Sequence, residues 1–122
     1  MRLEIIADTY LSVNTPVQHA AEMWLGQAAL IQDQIKDRVR TNLATIKASG
    51  LNVLDVEGGW YAIIAMPNVQ EEALVLDLLK QHQILVHPGF FFDFPESGYV
   101  VVSLLPSVVH FDKMVKILRS YS

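Results

Sequence analysis

Tyr99-Val100-Val101-Val102-Ser103-Leu104-Leu105, closed by Pro106-Ser107, is the stretch that decides the fold. Its β-branched and aromatic side chains, stopped by proline, predict a strand from Tyr99 to Leu105. Downstream, Phe111, Met114, Val115 and Leu118 recur at helical spacing and predict a closing amphipathic helix. Upstream, Phe90 to Gly98 has the proline, acid and glycine content of a loop despite its phenylalanines. Ile84-Leu85-Val86 then predicts a buried strand that Pro88-Gly89 stops.

Further out, Ala73, Leu74, Leu76, Leu78 and Leu79 predict a helix toward Gln83, with Glu71-Glu72 at its positive end. Leu51 to Met66 is rich in Val, Ile, Trp and Tyr and is divided by Gly58-Gly59, which fits two strands or one bulged strand. Before it, Ile31, Ile35, Val39, Leu43 and Ile46 mark one face of a long helix that Ser49-Gly50 ends. Thr15-Pro16 is a good start for that helix: the hydroxyl can cap, and proline at the first position loses no needed donor. The order predicts an α+β fold in two layers. A mixed or antiparallel sheet of about four strands is covered by helices on one face and preceded by the long helix. No repeat, low-complexity tract or linker divides the chain.

Composition narrows the functional classes. Apolar residues make up 52% and charged residues 18%, enough for a core with apolar surface left over for another chain. A net charge of −4 with scattered Lys and Arg provides no basic stripe, so nucleic acid is not expected as a partner. The absence of cysteine excludes disulfides and thiolate chemistry and is compatible with a reducing cytoplasm. Met1-Arg2-Leu3-Glu4 carries no cleavage-like segment, and Ser103 and Pro106 interrupt the most apolar run, so neither export nor membrane spanning is expected.

Self-contained chemistry is hard to find. His19, His82, His87 and His110 lack the spacing of a metal site. Ser12 and Ser103 lack a nucleophile elbow. Glu71 and Glu72 point about a hundred degrees apart on a helix and read as surface acids satisfying its dipole. Gly58-Gly59 has neither the spacing nor the following helix of a phosphate cradle.

Asp8-Thr9-Tyr10-Leu11-Ser12, Thr15-Pro16-Val17-Gln18, Gly58-Gly59-Trp60-Tyr61 and His87-Pro88-Gly89 together resemble the C-terminal part of a fold-type I pyridoxal-phosphate aminotransferase of class I/II. The resemblance covers nearly the whole chain. It implies that residues 1–27 pack on an absent large catalytic domain and that residues 28–122 form the small domain. It also implies a substrate cleft lined in part by Trp60, Tyr61, His87, Pro88, Gly89 and Phe91. The loop at Pro88 to Phe92 would close over substrate, while Tyr10, Ser12 and Asn14 would reach the neighbouring subunit's site in a homodimer. For Trp60 and Tyr61 the plain alternative is core packing, and for the Pro88-Gly89 loop it is an ordinary strand-ending turn.

In many such enzymes an arginine on the strand resembling Tyr99 to Ser103 holds the substrate carboxylate; Val101 stands there. The Schiff-base lysine and the other coenzyme-holding groups would lie before Met1, and Lys36, Lys47, Lys80, Lys113 and Lys116 read as surface charges. The resemblance therefore implies pyridoxal phosphate in the full-length enzyme, none bound to this chain alone, and an inactive isolated chain. Leu3, Ile5, Ile6, Tyr10, Leu11, Val13, Met23, Trp24 and Leu25 would pack on the large domain, or on a second copy in its absence. The rival reading is a stand-alone α+β module that binds a small metabolite or a protein.

Overall fold

A computed structural model of the chain describes residue 5 and residues 13–122. Backbone contacts divide the chain into two compact units, Met1–Gln34 and Ile35–Ser122. Helix α1, Thr15–Lys47, begins in the first unit and ends in the second. Its start is displaced by one residue from the sequence reading: Asn14, not Thr15, is the cap, its Oδ1 accepting from the backbone N–H of Val17 at 3.1 Å. Asparagine caps at least as well as threonine, and proline at the second position still removes only a donor that has no partner within the helix. In the first unit Met23, Trp24, Leu25, Leu30 and Ile31 are exposed. In the second, Asn42 and Ile46 are buried, with Val39 and Leu43 packed against the core.

The second unit is an α+β fold. Strands β1 (Asn52–Val53), β2 (Tyr61–Ala65), β3 (His87–Pro88) and β4 (Tyr99–Ser103) form an antiparallel sheet in the order β1-β2-β4-β3. Between β2 and β3 lies α2 (Glu71–His82), and after β4 comes α3 (Val108–Leu118). Ala62 pairs with Val102, and Ile64 with Val100. By the two-residue alternation of strands these four share one face. Ile46 from α1, Leu74 and Leu78 from α2, and Phe111, Met114, Val115 and Leu118 from α3 join them in one core. Burial of each large apolar side chain contributes roughly 1.5–3 kcal/mol. All the core-facing positions expected for α3 are filled as its spacing requires.

Two local expectations need correction. Residues 84–86 are not a strand: only Val86 is buried, and Leu85 is 68% exposed. Gln83 adopts a left-handed conformation with φ 57°, and the N–H groups of Gln83 and Ile84 return to Leu79 and Leu78 of α2. Closure of the helix thus takes Ile84, the first residue of the expected strand, and pairing with β4 starts only at His87. The loop after it opens with a turn of 3-10 helix, Gly89–Phe92, ended by Asp93 at φ 55°.

Candidate functional site

The register also defines the sheet's second face. Tyr61 lies opposite Ser103, Ile63 opposite Val101, and Val101 in turn opposite His87. These five residues alternate with the core positions and therefore point away from the core. Val101 is only 4% exposed although it lies outside the core cluster, flanked across the strands by Ile63 and His87. Tyr61 is half exposed, and Trp60, whose ring centroid lies 6.4 Å away, is similarly open. Core packing is therefore not what these two rings do. The backbone of Trp60 is held to the sheet, its carbonyl accepting from the N–H of Leu104 at 2.7 Å.

At the sheet edge, the imidazole of His87 meets two rings of the following turn, Phe91 at 6.3 Å and Phe92 at 6.2 Å between centroids. Phe90 stands edge-on to Phe91 at 4.9 Å. All three phenylalanines are at least half exposed. Pro88, by contrast, is buried opposite Val100. Gly89 is needed for close packing: a Cβ there would lie 2.8 Å from Cβ of Tyr99 and 3.0 Å from the ring of Phe94, which stacks on Tyr99.

The residue that organises this loop is one that sequence reasoning misassigned. Glu71 is buried, and its carboxylate accepts from the N–H groups of Gly98 at 2.5 Å, Tyr99 at 2.8 Å and Phe90 at 3.2 Å. Both ends of the loop are thereby tied to the first turn of α2. Burial alone would raise the carboxyl pKa, but the backbone donors of Tyr99, Phe90, Gly98 and Gly89 outweigh it and hold it below the ordinary value. Glu72 is exposed, as expected of a surface acid. An acid at a helix start was legible; that one of two adjacent acids receives a loop depends on a fold no local pattern encodes. Gly98 completes the junction at φ +99°, its backbone against Cα of Pro67.

Of the remaining sequence-derived positions, Tyr10 and Ser12 lie outside the described residues, and the side chain of Asn14 caps α1. Among the described residues no cluster of three potential metal ligands occurs, and no helix is long and apolar enough to cross a membrane. These residues do not fit an imine-linked coenzyme. Each lysine is exposed; Lys47 and Lys116 pair with Asp55 and Asp112. The cavity beside Lys113 has no carboxylate in its wall to face a pyridinium nitrogen, and the one beside Glu71 and Glu72 has no lysine.

Comparison with known proteins agrees with this architecture. The family model for aminotransferase class I and II matches residues 2–108. Alanine aminotransferases of Mycobacterium bovis and Mycobacterium tuberculosis are 31% identical over 116 residues, covering 84% of this chain and 27% of theirs. The chain thus spans about a quarter of the length of these relatives. Aspartate aminotransferase from Thermotoga maritima superposes with a TM-score of 0.73 at 21% identity, over 95% of this chain and 32% of that one. An aminotransferase from Escherichia coli gives 0.74 at 22% identity, over 98% and 32%. With the family model matching most of its length, the chain belongs to the class I and II aminotransferases.

Proposed function

We propose that the chain is the C-terminal, small-domain part of a pyridoxal-phosphate-dependent aminotransferase that exchanges an amino group between an amino acid and a 2-oxo acid. Residues 1–27 pack on the large domain that grips the coenzyme, and residues 28–122 form the small domain. Trp60, Tyr61, His87 and Phe91 wall one side of the substrate cleft, with Pro88 and Gly89 setting the turn that carries Phe91; Tyr10, Ser12 and Asn14 approach the second subunit of a homodimer. The chain by itself is catalytically silent, and the cytoplasm is its expected compartment.

The observation that carries this reading is a set of exposed aromatic rings around one end of the sheet: Tyr61 on the face turned from the core, Trp60 next to it in sequence, and Phe91 in the turn whose ring meets His87 of that face. Trp60, Tyr61 and Phe91 stay exposed while Phe111 and the aliphatic residues fill the core, an arrangement suited to covering a ligand rather than to stabilising the sheet. The loop carrying Phe91 is tied down at both ends by Glu71, with its rings outward, so its apex can close over substrate and exclude water. The sheet face turned from the core offers the hydroxyls of Tyr61 and Ser103 and the imidazole of His87 around an apolar centre of Ile63 and Val101. It offers no guanidinium, and Val101 stands where many members of the family carry one.

The test is to mix the purified chain with a lysine-bearing class I/II large domain that lacks its own small domain. Association and restored transamination are expected, with Tyr61→Ala and Phe91→Ala lowering activity while leaving association intact. If the chain alone, treated with pyridoxal phosphate and borohydride, is labelled stoichiometrically at one lysine, the proposal of silence is wrong.

A further inference from the structure

A cavity of about 330 Å³ lies between the end of α2 and the start of α3. Its wall brings together His82, His110 and Lys113, with Gln83 beside them and no aspartate or glutamate. In a chain of net charge −4, three basic side chains around one concavity run against the overall balance. Ser107 occupies the cap position of α3 but makes no side-chain cap; its hydroxyl lies instead 2.7 Å from Nδ1 of His110. The first-turn N–H groups are left without that acceptor, and the imidazole is fixed by one nitrogen.

His82 is fixed in a similar way. The hydroxyl of Tyr121 donates to Asp77, so towards Nε2 of His82, 3.4 Å away, its oxygen can only accept. Each imidazole thus has one nitrogen beside a hydroxyl, and among the described residues the second makes no hydrogen bond. We propose that this cavity binds a small oxyanion, its charged oxygens shared by His82, His110 and Lys113 and favoured by the dipole of α3. The shared chemistry is that of a phosphate or a carboxylate group. The site stands on the helix side of the sheet, away from the proposed cleft, and is independent of the aminotransferase reading.

The experiment follows the imidazole ring signals by NMR. The chain is titrated with inorganic phosphate, and separately with acetate, in mildly acidic buffer at constant ionic strength set by sodium chloride. Saturable shifts of His82 and His110, without matching shifts of His19 and His87, are expected with at least one of the two anions; which one saturates identifies the oxyanion. Lys113→Gln and His110→Gln are both at exposed positions and should keep the fold, checked by circular dichroism, and together they should weaken binding roughly tenfold or more. Shifts that never saturate, that affect every histidine alike, or that survive both substitutions would overturn the proposal.

Discussion

Gly89 and Gly58 show how little a residue's type reveals without its surroundings. A methyl group added at Gly89 meets Tyr99 at 2.8 Å and Phe94 at 3.0 Å, whereas at Gly58 no atom of the described residues lies within 4 Å. Gly89→Ala is therefore expected to cost about 1–3 kcal/mol in urea unfolding, and Gly58→Ala to change stability by no more than about 0.5 kcal/mol. Equal effects would contradict the packing described. Asn42 makes the same point with polarity. Its Nδ2 donates to the carbonyls of Leu104 and Pro106, both at 2.9 Å, while its buried Oδ1 has no partner among the described residues. Asn42→Leu removes both donors and should cost roughly 1–3 kcal/mol. Asn42→Asp sets a carboxylate against the same carbonyls and should be worse, roughly 3 kcal/mol or more; an aspartate variant as stable as the leucine variant would refute the assignment. Nothing in the local pattern marks Asn42, because its partners lie 62 and 64 residues away.

At the scale of elements, legibility followed periodicity. β4 and α3 were readable because Val100, Val102, Phe111, Met114, Val115 and Leu118 all carry the period of the element that buries them. Ile84 to Val86 was misread because a run of three apolar residues has no period, and the left-handed turn at Gln83 belongs to the closure of α2. The aromatic loop was found by its Pro88-Gly89 signal, but its anchor was not, since Glu71 acts 19 to 28 residues from the backbone it holds. That anchor has a pH signature. Its folded pKa lies below the ordinary glutamate value, so its contribution is complete above the unfolded pKa and is lost as pH falls through the folded one. Glu71→Gln should remove roughly 1.5–3 kcal/mol at neutral pH and flatten the acid limb of a stability-against-pH curve. An unchanged acid limb would mean that the carboxylate does not carry the loop.

For the molecule as a whole, the decisive quantity is the apolar surface left on the first unit. Met23, Trp24 and Leu25 are 57%, 53% and 76% exposed, and Leu30 and Ile31 more than 60%. Covering side chains of this size contributes roughly 1.5–3 kcal/mol each, enough in combination to favour contact with another chain. The isolated chain is therefore expected to self-associate at high micromolar concentration by light scattering; a monodisperse monomer would count against it. Trp24→Glu with Leu25→Glu should shift the population to monomer. The stability of Ile35–Ser122 should stay within about 0.5 kcal/mol, because neither side chain belongs to its core. The same residues are proposed to meet the large domain, so the two associations should compete. Adding a large domain should dissolve the self-associated species in proportion to the transamination it restores, and the double substitution should weaken both. If restored activity leaves the self-association untouched, the two contacts use different surfaces and the assignment of this apolar face to the large domain fails.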